Sequence, residues 1–350
     1  MNNRPRCWIG LALSLSLMLP VMAEDGSVKV FILAGQSNME GKAQNKLLEY
    51  QATAPETKEQ FAHLRKDGGW IVRDDVFINY LDRRGGLTIG YGSRDRTGAE
   101  LEFGNTMGDQ FGEPVLLIKT AWGGHSLFQK FRSPSAGLPP EEKLQAELEQ
   151  ACKRVEQNNE KHKREDPLPT MEEIKAEYGS SYRNMLEEVA VTRENYETWF
   201  PALKGRKLEI AGFVWFQGWN DQYGGAELEY ASNMEHFIKD VRKDFGAPKM
   251  PIVIGVMGQN GSKEAMKTIQ DAQLAMEKVE EFVGNVKAVR TDVLIDKAAE
   301  ERYPTWREDI PEWEKVGSDH GYHYLGSAIW FNRMGKAFGA AMMEMMGEEG

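Results

Sequence analysis

The chain has 350 residues, 41 % of them hydrophobic and 28 % charged, with a formal net charge of −11. This length fits one large domain or two small ones, with ample chain for a core, and the composition is that of a globular protein. The acidic balance argues against nucleic acid and against an anionic membrane surface, and a neutral substrate is easier to reconcile with it.

Arg4 and Arg6 precede an apolar run from Trp8 to Leu19, and Val21-Met22-Ala23 follows as a small-residue cleavage site. This pattern reads as a signal peptide over residues 1–23, cut after Ala23, and places the mature protein outside the cytoplasm, secreted or periplasmic. Its loss removes two arginines and no acid, taking the net charge two units further, to −13. Cys152 is then the lone cysteine, so no intramolecular disulfide is expected. No membrane association is expected of the mature form, and oligomeric state is not legible.

Residues 24–350 read as one domain. Val28–Ala34 is a short apolar run, interrupted only by Lys29, that reads as a buried strand, and it breaks into Gly35-Gln36-Ser37-Asn38. Val72–Tyr80 has strand character, and Gly85-Gly86 and Gly90-Tyr91-Gly92 mark turns. A short helix is predicted over Phe103–Phe111. A second buried strand, Pro114–Thr120, ends in Ala121-Trp122-Gly123-Gly124-His125-Ser126. A charged helical insertion is predicted around 138–200, with Leu144, Leu148, Ala151 and Val155 on one stripe and Tyr182, Met185, Leu186 and Val189 facing inward on a second helix. A third buried strand, Ala211–Phe216, runs into Gln217-Gly218-Trp219-Asn220-Asp221. Then come a helix (Leu228–Phe245), a strand (Pro251–Val256), a helix (Lys263–Phe282), a short strand (Asn285–Val289), a loop (Tyr303–Ser318) and a closing helix (Tyr324–Met346). The alternation predicts a parallel sheet with helices on both faces, whose active site lies at the carboxyl ends of the strands.

Three polar clusters follow strands in that way, at 35–38, 122–126 and 217–221, and a fourth precedes the last helix. Ser37 is the candidate nucleophile, which needs a base and an orienting carboxylate. Of the six histidines, His320 and His323 lie before the last helix beside Asp319, and His125 follows a diglycine. Oxyanion donors are expected from the Ser37 N–H, a Gly123 or Gly124 N–H, and the Gln217 side-chain amide. No zinc-type ligand pattern, phosphate loop or Gly-x-Ser-x-Gly elbow occurs around these residues, so no metal and no cofactor are expected.

Gly35-Gln-Ser-Asn-Met39, Lys119-Thr-Ala-Trp-Gly-Gly124, Trp215-Phe-Gln-Gly-Trp-Asn-Asp221 and Tyr322-His-Tyr-Leu-Gly-Ser-Ala328 resemble, in this order, the blocks of the sialate O-acetylesterase-like proteins. That family is grouped with carbohydrate esterase family 6 in the SGNH-hydrolase superfamily. The resemblance implies a flavodoxin-like three-layer α/β/α sandwich and cofactor-free removal of acetyl groups from saccharides. It maps the nucleophile to Ser37, the base to His323 and the oxyanion hole to Ser37, Gly124 and Gln217. Gln36, Asn38, Trp122, His125, Trp219 and Asp221 are expected at the substrate. This sequence departs from the family's Asp-x-x-His, since His320 stands three residues before His323 and Asp319 one further away. The orienting carboxylate is therefore Asp319, another group such as Asp292, or absent in a Ser–His dyad. Two alternatives accompany the acetylesterase expectation. One is a non-catalytic carbohydrate-binding protein on the same fold, the other a general short-chain acyl esterase.

Overall fold

The computed structural model describes residues 26–258 and 264–347; the expected signal peptide, 1–23, lies outside them. The central sheet contains β1 (Ser27–Gly35), β2 (Val76–Tyr80), β3 (Arg83–Gly86), β4 (Val115–Ala121), β5 (Lys207–Phe216), β6 (Ile252–Val256) and β7 (Val286–Arg290). Their spatial order is β7-β6-β5-β1-β4-β2-β3. Neighbouring strands run parallel except β3, which is antiparallel to β2 at the edge. β1 occupies the centre because its side chains from Val30 to Ala34 are all buried, as a strand covered on both faces requires.

The main helices are α1 (Glu100–Gln110), α2 (Glu141–His162), α3 (Ser180–Trp199), α4 (Ala226–Asp244), α5 (Glu264–Ala275) and α6 (Ala328–Gly347). On one face of the sheet Phe31 packs on Phe103 of α1, and Phe216 on Phe338 of α6, each with ring centres 5.5 Å apart. Trp215, the residue before Phe216, points to the opposite face and meets Phe237 of α4 at 4.4 Å. Period-two alternation along β5 thus feeds two helical layers. Each such fully buried large apolar side chain contributes roughly 1.5–3 kcal/mol. The result is a three-layer α/β/α sandwich with a mostly parallel sheet.

The structure departs from the sequence reading in four places. Gly85-Gly86, read as a turn, ends the antiparallel strand β3, where Gly86 pairs with Phe77. Helix α1 begins three residues before the expected Phe103, with Glu100 and Glu102 buried in its first turn. The last helix starts at Ala328 instead of Tyr324, because Tyr324 and Leu325 have left-handed φ of 52° and 60°. Finally, α3 is part of the sandwich rather than of an appended insertion. Its Tyr182 packs on Phe237 at 5.8 Å, and its Thr192 Oγ1 accepts a 2.9 Å bond from Asn79 of β2. Of these main helices α2 is the outlying charged one, with Leu144 its one buried residue.

From β1 the chain first builds the sheet on one side, through β2, β3 and β4, and then crosses to the other, through β5, β6 and β7. The switch in direction leaves a crevice at the carboxyl end of β1, flanked by the ends of β4 and β5.

Candidate active site

Ser37 stands in that crevice. β1 ends at Gly35, where an added Cβ would lie 2.2 Å from the Phe216 carbonyl oxygen, so only glycine lets β1 and β5 approach this closely. The next residues turn into a one-turn helix, Ser37–Glu40. Gln36 anchors the turn: its Nε2 donates to Asn220 Oδ1 (3.0 Å) and its Oε1 accepts from the Gly218 N–H (3.1 Å). Lys119 anchors the other end from β4, with Nζ donating to the Glu40 carbonyl (2.7 Å), the Tyr91 carbonyl (2.7 Å) and Glu100 Oε2 (2.9 Å). Asn38 is fully buried and donates to the Tyr322 carbonyl (3.2 Å), tying the serine turn to the histidine loop.

His323 Nε2 lies 3.0 Å from Ser37 Oγ, and His323 Nδ1 lies 3.0 Å from Asp319 Oδ1. The four-residue spacing between Asp319 and His323 is accommodated by a tight loop. The Ser318 and Asp319 N–H groups both donate to the Leu325 carbonyl, and the Leu325 N–H returns to His320 O. Gly326 closes the loop at φ 55°, and a Cβ there would sit 2.5 Å from Ser318 Oγ. Asp319 also accepts from the His320 N–H (2.7 Å) and from Arg96 (2.9 Å to Oδ2). Burial pushes the Asp319 carboxyl up, but the bonds from His323 and the His320 amide, with the Arg96 charge, outweigh it and hold it below the usual carboxylate range. Asp292 is engaged elsewhere, by Arg290 Nε at 2.9 Å. His63 bonds Glu102 and His236 bonds Ser135.

The Gly123-Gly124 turn follows β4, whose Ala121 is paired with Gly35. Glu40 accepts the Gly123 N–H and is itself held by Lys42 (2.6 Å) and Ser93 (2.8 Å). Burial raises the Glu40 carboxyl, and these partners bring it below its ordinary range. Gly124 is exposed at φ 79°, with open space where a Cβ would stand. The Ser37 N–H belongs to the first turn of the short helix, where backbone donors have no intrahelical partner.

The geometry of Gln217 differs from the sequence expectation. The residue is fully buried, and its amide donates to Asp221 Oδ2 (2.5 Å) and the His125 carbonyl (3.1 Å) while Oε1 accepts from Tyr230 (3.2 Å). An amide spent on these partners has no N–H left for an oxyanion. Asp221, expected at the substrate, is likewise fully buried and accepts the Leu127 (2.9 Å) and Phe128 (2.7 Å) N–H groups. Burial pushes its carboxyl up to about 6 against the pull of these three donors. Gln36, Asn38, Gln217 and Asp221 therefore form the frame that fixes the loops, while Trp122, His125 and Trp219 are only partly covered. Trp122 stacks on His125 (6.3 Å), whose Nδ1 meets Ser181 Oγ at 2.6 Å. Burial and the Lys130 charge hold the His125 imidazole below its usual range.

Residues 27–165 and 169–301 match the family described as carbohydrate esterase, sialic acid-specific acetylesterase. The chain belongs to that family. The matched stretches carry Ser37, Gly124 and Gln217 and stop short of Asp319 and His323. A search of curated proteins finds no match. Among solved structures, the chain is similar to a protein from Arabidopsis thaliana at 15 % identity, covering 91 % of this chain and 98 % of that one, with a TM-score of 0.52. It is also similar to NanS at 11 % identity, over 93 % of this chain and 100 % of that one, with a TM-score of 0.52. At such identities the likeness shows a shared fold.

Two members of this cluster escaped the sequence reading. Arg96 lies far from any recognisable block, in a two-residue strand that pairs with Ala43–Gln44. Glu40 follows the Gly-Gln-Ser-Asn-Met block directly, and a carboxylate one turn from the serine was the available signal.

Proposed function

We propose that this protein is an exported serine esterase that removes O-acetyl groups from carbohydrates through an acetyl-enzyme. The observation that carries the proposal is the chain of contacts from Ser37 Oγ to His323 to Asp319, 3.0 Å at each step, at the switch point of the sheet. His323 Nε2 takes the proton as Ser37 Oγ attacks the ester carbonyl, and Asp319 holds the Nδ1–H and stabilises the imidazolium. The Ser37 and Gly124 N–H groups receive the oxyanion. Collapse expels the sugar alkoxide, which His323 protonates. Water, deprotonated by the same imidazole, then attacks the acetyl carbon and returns Ser37 and acetate. Gln217 and Asp221 act one layer back, by holding the 125–128 segment that carries Gly124's neighbours.

Export rests on the pattern in residues 1–23. Among the described residues no helix is long and apolar enough to cross a membrane. The Asp319–His323 contact supports the esterase reading over the carbohydrate-binding alternative. Acetate release from O-acetylated saccharides by wild type and by Ser37→Ala tests the proposal. The variant is expected to lose at least ~10³-fold in kcat. Release within tenfold of wild type would refute the nucleophile, and a clear preference for longer acyl esters over acetylated sugars would favour the general esterase.

A further inference from the structure

An aromatic row leads away from the proposed catalytic histidine. Tyr322 meets the His323 ring edge-on at 4.4 Å and is 38 % exposed. On one side Trp219 lies 5.8 Å from Tyr322. On the other, the exposed His320 stacks on Tyr322 at 5.2 Å, with ring planes 24° apart, and Trp306 follows at 6.1 Å. The Arg307 guanidinium, 5.0 Å from the Trp306 ring centre, and Trp313 at 6.2 Å hold that indole in place. Beyond Tyr322 the row opens into a cavity of about 200 Å³ lined by Arg96, Trp306, Trp313, Asp319 and His320.

The cavity thus touches the carboxylate that supports His323, and neither Ser37 nor His323 lines it. It is smaller than the ~300–1,000 Å³ of a pocket for a drug-sized ligand, and suits a single ring. Its walls combine indole faces with the His320 imidazole and the Arg96 guanidinium. An apolar face edged by hydroxyl groups is the chemistry of a sugar ring, and aromatic rings with a few polar groups at the rim match it. The row is longer than one ring, running from Trp219 and Tyr322, beside His323, through His320 to Trp306 at the cavity wall.

We infer that the site has a second sugar subsite, formed by Trp306, His320 and Arg96, so that the substrate is an acetylated oligosaccharide or polysaccharide chain rather than a free monosaccharide. This rests on the esterase reading above and names its substrate class. The acetylated sugar sits at Ser37 against Tyr322 and Trp219, and its neighbour in the chain occupies the cavity at Trp306. Neither subsite needs a charged sugar, in keeping with the acidic chain.

The test separates binding from turnover. The Ser37→Ala protein is titrated with chemically O-acetylated glucose, xylose and mannose and with the O-acetylated tetrasaccharide of each, following tryptophan fluorescence and calorimetric heat. At least one tetrasaccharide is expected to bind tenfold or more tighter than its monosaccharide. Trp306→Ala in the same background should erase most of that ratio, His320→Ala should reduce it, and Trp306→Phe should retain most of it. Equal affinity for mono- and tetrasaccharide in every pair would overturn the inference, as would a ratio untouched by Trp306→Ala in a folded protein. Failure of the esterase reading shows separately, as absence of acetate release by the Ser37 enzyme.

Discussion

Replacement of Asp319 by asparagine probes the contact that the sequence leaves most open. Asp319 Oδ1 accepts from His323 Nδ1 (3.0 Å) and the His320 amide (2.7 Å), and Oδ2 accepts from Arg96 (2.9 Å). Asparagine preserves the size but offers one oxygen for two sets of donors. If its oxygen serves Arg96, its NH₂ faces His323 Nδ1 and donates to it. The imidazole proton then moves to Nε2, which can no longer accept from Ser37. If the oxygen serves His323, the NH₂ faces the Arg96 guanidinium, two donors in contact. The first arrangement keeps the guanidinium paired and is favoured by the charge-assisted bond, worth roughly 1.5–3 kcal/mol. A wrong tautomer in a serine triad costs ~10⁴ in kcat, or about 5.5 kcal/mol at 1.36 kcal/mol per decade. Asp319→Asn should therefore release acetate ~10³–10⁴ times more slowly than wild type, with the fall in kcat rather than in KM. Asp292→Asn, which disturbs the pairing with Arg290, is the control and should stay within about twofold, as a surface change away from the site does. An Asp319→Asn enzyme within tenfold of wild type would refute the reasoning, and so would an Asp292→Asn enzyme that is the more damaged of the two.

Two further outcomes follow from the frame behind the site. Asp221 titrates near 6 when folded against an ordinary 3.8, so its protonated form adds stability that is fully present below 3.8 and lost as pH rises through about 6. Between pH 4 and pH 7, urea unfolding of wild type should lose roughly 2 kcal/mol relative to Asp221→Asn; identical pH slopes would contradict this. Gln217→Leu removes one bond each from the His125 carbonyl, Asp221 and Tyr230, and should lower the unfolding free energy by about 2–4 kcal/mol. Unchanged stability with a ~10²–10³-fold fall in kcat would instead return Gln217 to the oxyanion hole.

The strands were legible because parallel strands buried on both faces leave uninterrupted apolar runs, as in Val30–Ala34 and Ala211–Phe216. The polar clusters that follow them could then be placed at one sheet edge. What escaped was geometry without a hydrophobic signature. Arg83–Gly86 has no alternating pattern, and its edge position needs none. The start of the last helix was hidden by Tyr324 and Leu325, non-glycine residues in left-handed backbone that helical periodicity cannot reveal. That same loop brings Asp319 to His323 across one extra residue, so counting residues could not decide the pairing. Gln217 stood out correctly as a polar group after an apolar strand, yet its donors turn inward to Asp221. Sequence spacing places a residue near a site but does not say which way its amide points.

The central claim is that Ser37 forms the acetyl-enzyme. Rapid acid quench during turnover of an O-acetylated saccharide, followed by peptide mass spectrometry, tests it most directly. Acetyl should appear on the peptide carrying Ser37, accumulate when water attack is slowed, and be missing from Ser37→Ala. Turnover of the wild-type enzyme with no acetyl on Ser37, under conditions where product is still bursting, would contradict the account.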